Sequence, residues 1–187
     1  MTTTERALDW PGRSETGSVI LPLMAAPSLE QLGTLSLPES AFLPKRELHI
    51  TLLSTSEAVN VAAVLPEPHW QTIFRSLRWS VHFSGRAFLL GKDKPTGQAW
   101  SVIAELRGVP INEFRKALSK ASGVALPDTL PHVTLWVAGG ERGIGLSSLE
   151  EFRQRVIREI PLGSLLPDKD LDIAGPEAHP TLQGEQP

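Results

Sequence analysis

The sequence predicts an α+β fold in one domain, on three observations. Strand-like and helix-like stretches alternate along the chain. No Pro-, Gly- or Ser-rich linker divides it. At 187 residues, 41% apolar and 21% charged, it can bury one sizeable hydrophobic core.

The elements are expected in this order. Residues 17–24 are apolar and β-branched and read as a first strand. Residues 28–35 suit a short helix capped by Ser28. Residues 48–54 (LHITLLS) form a strand by composition. Ser54-Thr55-Ser56-Glu57 has capping-box spacing and starts a helix through about Val64, which Pro66 and Pro68 end. A second helix is expected over 69–77. Residues 78–83 and 87–92 are strand-like and predict a hairpin through Ser84-Gly85, with 92–98 as a polar loop. Residues 99–106 (AWSVIAEL) give a further strand. Pro110 opens a helix whose apolar face is Ile111, Phe114, Leu118 and Ala121, and Gly123 stops it. Residues 132–138 (HVTLWVA) form a strand. The run GGERGIG at 139–145 lacks the lysine and hydroxyl of a P-loop and reads as a plain loop. Ser147-x-x-Glu150 is a second capping box, continued by Leu149, Phe152, Val156 and Ile160 as an amphipathic helix. Residues 169–174 suggest a last strand. Residues 1–17 and 175–187 are expected to be disordered ends around a single domain at 18–174.

Composition removes several functions. Without cysteine there are no disulfides, zinc–thiolate sites, iron–sulfur clusters or thiol nucleophiles. A net charge of −3 argues against bulk binding of duplex DNA. The charge is uneven, however: residues 45–120 hold eleven basic and six acidic side chains, while both ends are acidic. A positive middle can focus a small anion, or simply be a mixed solvated surface. The N-terminal residues lack the basic start and apolar run of a secretory signal, and the apolar run at 19–27 is short and broken by Pro22. The sequence therefore reads as cytoplasmic, with no membrane partner and a monomeric state.

The chemistry lies in a repeated tetrapeptide. Two of the five histidines sit in nearly the same surroundings, Leu48-His49-Ile50-Thr51-Leu52 and Pro131-His132-Val133-Thr134-Leu135. With 28 Ser and Thr residues in the chain, two such hits are roughly a one-in-200 accident. Strand side chains alternate faces, so His49 shares a face with Thr51, and His132 with Thr134. Side-by-side strands would converge two imidazoles and two hydroxyls on one spot. That set suits a phosphodiester. One imidazole takes a proton from the attacking oxygen, the other gives one to the leaving oxygen, and the threonine hydroxyls bind the phosphate oxygens. His69, His82 and His179 have no partner motif and read as structural or exposed. No carboxylate stands at ligand spacing from His49 or His132, and neither metal nor cofactor is expected.

The paired motifs His49-x-Thr51 and His132-x-Thr134 resemble those of the 2H phosphoesterase superfamily, which includes the LigT-like RNA 2′,3′-cyclic phosphodiesterases (2′–5′ RNA ligases). The 83-residue separation and the Leu130-Pro131-His132 context suit that family, and the similarity runs from about residue 18 to about 138. The resemblance implies a bilobal fold of two pseudo-symmetric lobes, with antiparallel sheets facing a central cleft. It further implies metal-independent catalysis by His49 and His132, phosphate binding by Thr51 and Thr134, and RNA 3′ ends or small nucleotides as substrates. The alternatives are a non-catalytic module of the same fold that grips phosphorylated ends, and an enzyme for a non-nucleotide cyclic phosphate. By period-two alternation Trp136 joins His132 and Thr134 on one face and would stack a nucleobase; strand twist would instead turn the ring into the core.

Overall fold

The computed structural model describes residues 9–23, 32–95 and 97–166. The architecture is α+β and its sheets are antiparallel. In chain order the elements are β1 (Val19–Pro22), β2 (Leu35–Leu37), β3 (Ser40–Pro44), β4 (His49–Leu53), α1 (Thr55–Ala62), α2 (Glu67–Arg75), β5 (His82–Lys94), β6 (Gly97–Arg107), α3 (Ile111–Ser122), β7 (His132–Ala138), α4 (Leu149–Arg155) and β8 (Val156–Pro161), followed by a 3-10 turn at Leu162–Ser164. Strands β1 and β4 form a two-stranded sheet, and the other six lie in the order β2-β3-β7-β6-β5-β8. The opposite ends of the larger sheet meet: Arg158 on β8 donates to both carboxylate oxygens of Glu39, in the turn between β2 and β3, at 3.2 and 3.3 Å.

One face of that sheet carries Ala87, Leu89, Val102, Ala104, Val133 and Trp136 into the main core, where Trp70 and Phe74 of α2 and Phe114 and Leu118 of α3 meet them. The other face carries a smaller cluster of Phe88, Leu90 and Ile103, closed over by Ile144, Leu146 and Phe152. The middle of β5 (Ala87–Leu90) and of β6 (Val102–Ala104) therefore reads as a continuous apolar run, because both faces are covered there. Among the described residues no helix is long and apolar enough to cross a membrane.

Several elements stand as the sequence predicts. Ser54 caps α1 with the full reciprocal box to Glu57, and Gly123 ends α3 at φ +74°. Others differ. Ser84-Gly85 is not a hairpin but a bulge inside the single long strand β5: Phe83 pairs with Leu106 and Ala87 with Ala104, so three residues face one. The hairpin lies at the far end, where Lys94 pairs with Gly97 at φ +118°. The helix expected through Ile160 stops at Arg155, because Val156, Ile157 and Ile160 are β-branched and the free edge of β5 offers them a ladder. Its cap also moves one residue: the Ser148 side chain accepts from the Glu151 amide, and Glu151 accepts from the amide and hydroxyl of Ser147. Strands β2 and β3 go beyond the sequence expectation: residue 35, expected in the helix from Ser28, is a strand residue, and residues 24–31 lie outside the described residues.

Residues 1–8 lie outside the described residues; within 9–17, expected to be disordered, Trp10 packs against the domain. Trp10 stands edge-on to Trp70 and Phe74 and donates to Glu67 at 3.0 Å, with Arg13 beside the same carboxylate. The strand expected over 169–174, the tail from 175 and His179 lie outside the described residues.

Candidate active site

The two motif strands lie together. β3 pairs with β7 at Leu43–Val137 and Pro44–Trp136, and the Lys45 amide extends that ladder to the Leu135 carbonyl at 2.8 Å. The chain then leaves the large sheet and returns as β4, packed beside β7. His49, Thr51, His132 and Thr134 all line one cleft of about 710 Å³. All four are partly exposed, while Ile50, Leu52, Val133 and Leu135 between them are buried. Period-two alternation does what the sequence requires of it here.

Alternation stops directly after each threonine, and for the same reason on both strands. In β4, Thr51 faces Ile20 but Leu53 faces Val19, so Leu52 is an extra residue. In β7, Thr134 faces Ile103 but Trp136 faces Val102, so Leu135 is extra. Each one-residue bulge turns the next side chain to the opposite face. Leu53 is therefore fully buried, and Trp136 is 3% exposed among main-core residues, its indole N–H donating to the Gly33 carbonyl at 2.9 Å. Trp136 does not reach the cleft, so the base-stacking role expected for it is corrected. Among the described residues lining the cleft there is no Trp or Phe.

The imidazoles differ in support. His132 Nδ1 lies 2.7 Å from the Leu130 carbonyl, and since a carbonyl only accepts, that nitrogen donates and leaves Nε2 for the cleft. Burial pulls the His132 pKa below the usual 6.5; the bond to Leu130 pushes it up, and the neighbouring His49 pushes it down. The His49 pKa is also lowered, first by burial and then by Lys45, with Glu47 opposing. Two adjacent imidazoles that both resist a proton hold one proton between them more readily than two.

The cleft lining also holds a residue that the sequence places only within a helix. Arg115 of α3 is 2% exposed and all five of its N–H donors are used. Nε donates to Pro127 O at 2.9 Å; Nη1 donates to Leu52 O at 3.0 Å and Glu57 Oε2 at 3.2 Å; Nη2 donates to Glu57 Oε1 at 2.6 Å and Ser147 O at 3.1 Å. It thus joins the β4 bulge, the α1 cap and the chain leading into α4. Burial pushes the Glu57 carboxyl up, but the bonds from Arg115 and Ser54 outweigh it and hold the pKa below the usual carboxylate value. No local motif announces such a residue, since its five acceptors come from four separate stretches of chain.

The glycine-rich loop at 139–145 also proves to be more than a connector, since Arg142, Gly143, Ile144 and Gly145 line the cleft. A Cβ on Gly143 would stand 3.0 Å from Thr134 Oγ1, so glycine lets the backbone lie against that hydroxyl. The Ile144 amide is held by Ser101 Oγ at 2.9 Å. Four glycines directly after a His-x-Thr strand were the available signal for a backbone crossing close over the site. His69 and His82 are exposed and away from the cleft. Among the described residues no cluster of three or more His, Asp or Glu side chains could hold a metal ion. No family model, curated protein or solved structure matches the chain.

Proposed function

We propose that the protein is a 2H-type cyclic phosphodiesterase that opens 2′,3′-cyclic phosphates of RNA ends or nucleotides without a metal. The observation that carries this reading is the shared cleft of His49, Thr51, His132 and Thr134. Water attacks phosphorus while one imidazole takes its proton; the bond from phosphorus to one ribose oxygen breaks, and the other imidazole protonates that oxygen. The product is a phosphate monoester beside a free ribose hydroxyl. The threonine hydroxyls donate to the non-bridging oxygens, on which charge accumulates. His132, with Nδ1–H anchored on a carbonyl, keeps Nε2 in a fixed direction for this transfer. We also read the two motif strands as marking two related halves of a bilobal fold; the matching bulges after Thr51 and Thr134 support that.

The test is turnover of 2′,3′-cyclic AMP and of a short RNA with a cyclic end, each with EDTA present. His49→Ala and His132→Ala should each lower kcat by about 10²–10⁴-fold with little loss of stability. Full activity in either variant, or a strict metal requirement, refutes the reading. Tight binding of phosphorylated ends without turnover would favour the non-catalytic module.

A further inference from the structure

We infer that the cleft holds a second anion subsite, formed by Lys92 and Arg142 with Lys45 behind them, that takes a further phosphate group of the substrate. The inference rests on the phosphodiesterase reading for the identity of the first phosphate. Five cationic side chains line the cleft, and two are neutralised: Arg115 by Glu57 at 2.6 Å and Arg155 by Glu151 at 2.7 Å. Lys45, Lys92 and Arg142 remain: among the described residues none of them has a carboxylate within ion-pair distance, although the Lys92 charge also acts on Glu151 from further away. The only other acid in the lining is Glu47. A cyclic phosphodiester carries a single negative charge, and an imidazolium with two hydroxyls already answers it. The surplus cations call for more negative charge than the reacting group brings.

Their placement is on one side of the site. Phe88, Leu90 and Lys92 alternate along β5 on the face that also bears Ile103, so Lys92 extends past the apolar cluster towards the cleft. Arg142 immediately precedes Gly143, whose backbone lies against Thr134. Lys45 Nζ donates to the Glu141 carbonyl at 3.4 Å, and a Cβ on Gly140 would stand 3.5 Å from Lys94 Nζ. Lys45, which lines the cleft, and Lys94, which does not, thus both reach the loop that carries Arg142. The described lining residues include no Trp or Phe, so a base would find no indole or phenyl ring there. Recognition beyond the reacting phosphate then runs mainly through charge, and the site should be tolerant of base identity.

The second phosphate has two sources, a terminal 5′-monoester on a nucleotide or the next diester of a strand. Three substrates separate them: a nucleoside 2′,3′-cyclic phosphate, the same compound with a 5′-phosphate, and a dinucleotide with a cyclic end and a 5′-hydroxyl. At low salt the second, the third or both should exceed the first in kcat/KM by about tenfold or more. The ratio should shrink with added salt, vary little between bases, and fall towards one in Lys92→Gln/Arg142→Gln. A binding arm needs no turnover: nucleoside 2′,5′-bisphosphate and nucleoside 2′-phosphate are compared by calorimetry on the wild type and the double variant. Equal affinities and equal kcat/KM values across the series overturn the subsite, as does a ratio the double variant leaves intact. An affinity ratio that needs Lys92 and Arg142, without turnover of any cyclic phosphate, upholds the subsite and overturns the phosphodiesterase reading.

Discussion

Replacing Arg115 with methionine tests how the cleft is held together. The substitution keeps most of the buried stem and removes five donated hydrogen bonds. It leaves the Glu57 carboxylate, whose side chain is 14% exposed, without its counter-ion, and deprives the carbonyls of Leu52, Pro127 and Ser147 of a donor. Removing one partner of a buried pair costs about 3–5 kcal/mol. Neighbouring Ser54 still donates to Glu57, and the cleft admits water, so summing a full penalty for each carbonyl would overstate the loss. For a chain of this size each kcal/mol moves Tm by about 2–4 °C, which gives a fall of roughly 6–20 °C. Calorimetry on wild type, Arg115→Met, Glu57→Gln and the double variant measures both the fall and the coupling. The double variant should be less destabilised than the sum of the singles, by at least about 1 kcal/mol. Because the folded Glu57 pKa is depressed, its contribution is full above the ordinary carboxylate range and is lost as pH falls through the folded value. Arg115→Met should lose that acid-side dependence. A Tm fall below about 3 °C, or strict additivity with Glu57→Gln, would refute the reasoning.

Trp136→Ala removes a core indole and its bond to Gly33, and should cost about 3–5 kcal/mol by thermal melt, with KM unchanged in the folded fraction. Because both histidine pKa values lie below 6.5, the kcat/KM profile should be bell-shaped with its maximum on the acid side of 6.5; a maximum above pH 7.5 contradicts the burial argument. The same depression makes unfolded histidines bind protons first, so stability should be full above about pH 6.5 and decline as pH falls from there, less steeply in His132→Asn by chemical denaturation. Gly143→Ala brings a methyl to 3.0 Å from the Thr134 hydroxyl and should lower kcat/KM with only a small change in melting temperature; an unaltered rate means that the loop yields at no cost.

Much of the site was legible because it is local. His-x-Thr on a strand determines its own facing, and Ser54 with Glu57 determines its own cap, from residues within four positions. What failed was what depends on a partner strand. Whether Ser84-Gly85 turns the chain or bulges it is decided by Leu106 and Ala104 across the ladder, and whether 156–161 continues a helix is decided by the open edge of β5. Trp136 failed in the same way, since alternation holds only while both strands advance together, and Leu135 has no counterpart on β6. Arg115 could not be seen at all, because its acceptors at 52, 57, 127 and 147 meet only once the chain is folded.

The twin bulges also set a limit on redesign. Each strand shows the cleft only two side chains before its direction reverses, so the chemically useful strip cannot be lengthened by substituting position 53 or 136. An engineer who wants an aromatic platform there would have to excise Leu52 or Leu135, restoring strict alternation while pulling a large residue out of the main core. Changes of specificity come more cheaply from the 139–145 segment, which borders the cleft without serving as a rung of either sheet. The two motif strands act as fixed type, and the glycine loop is where the text can be reset.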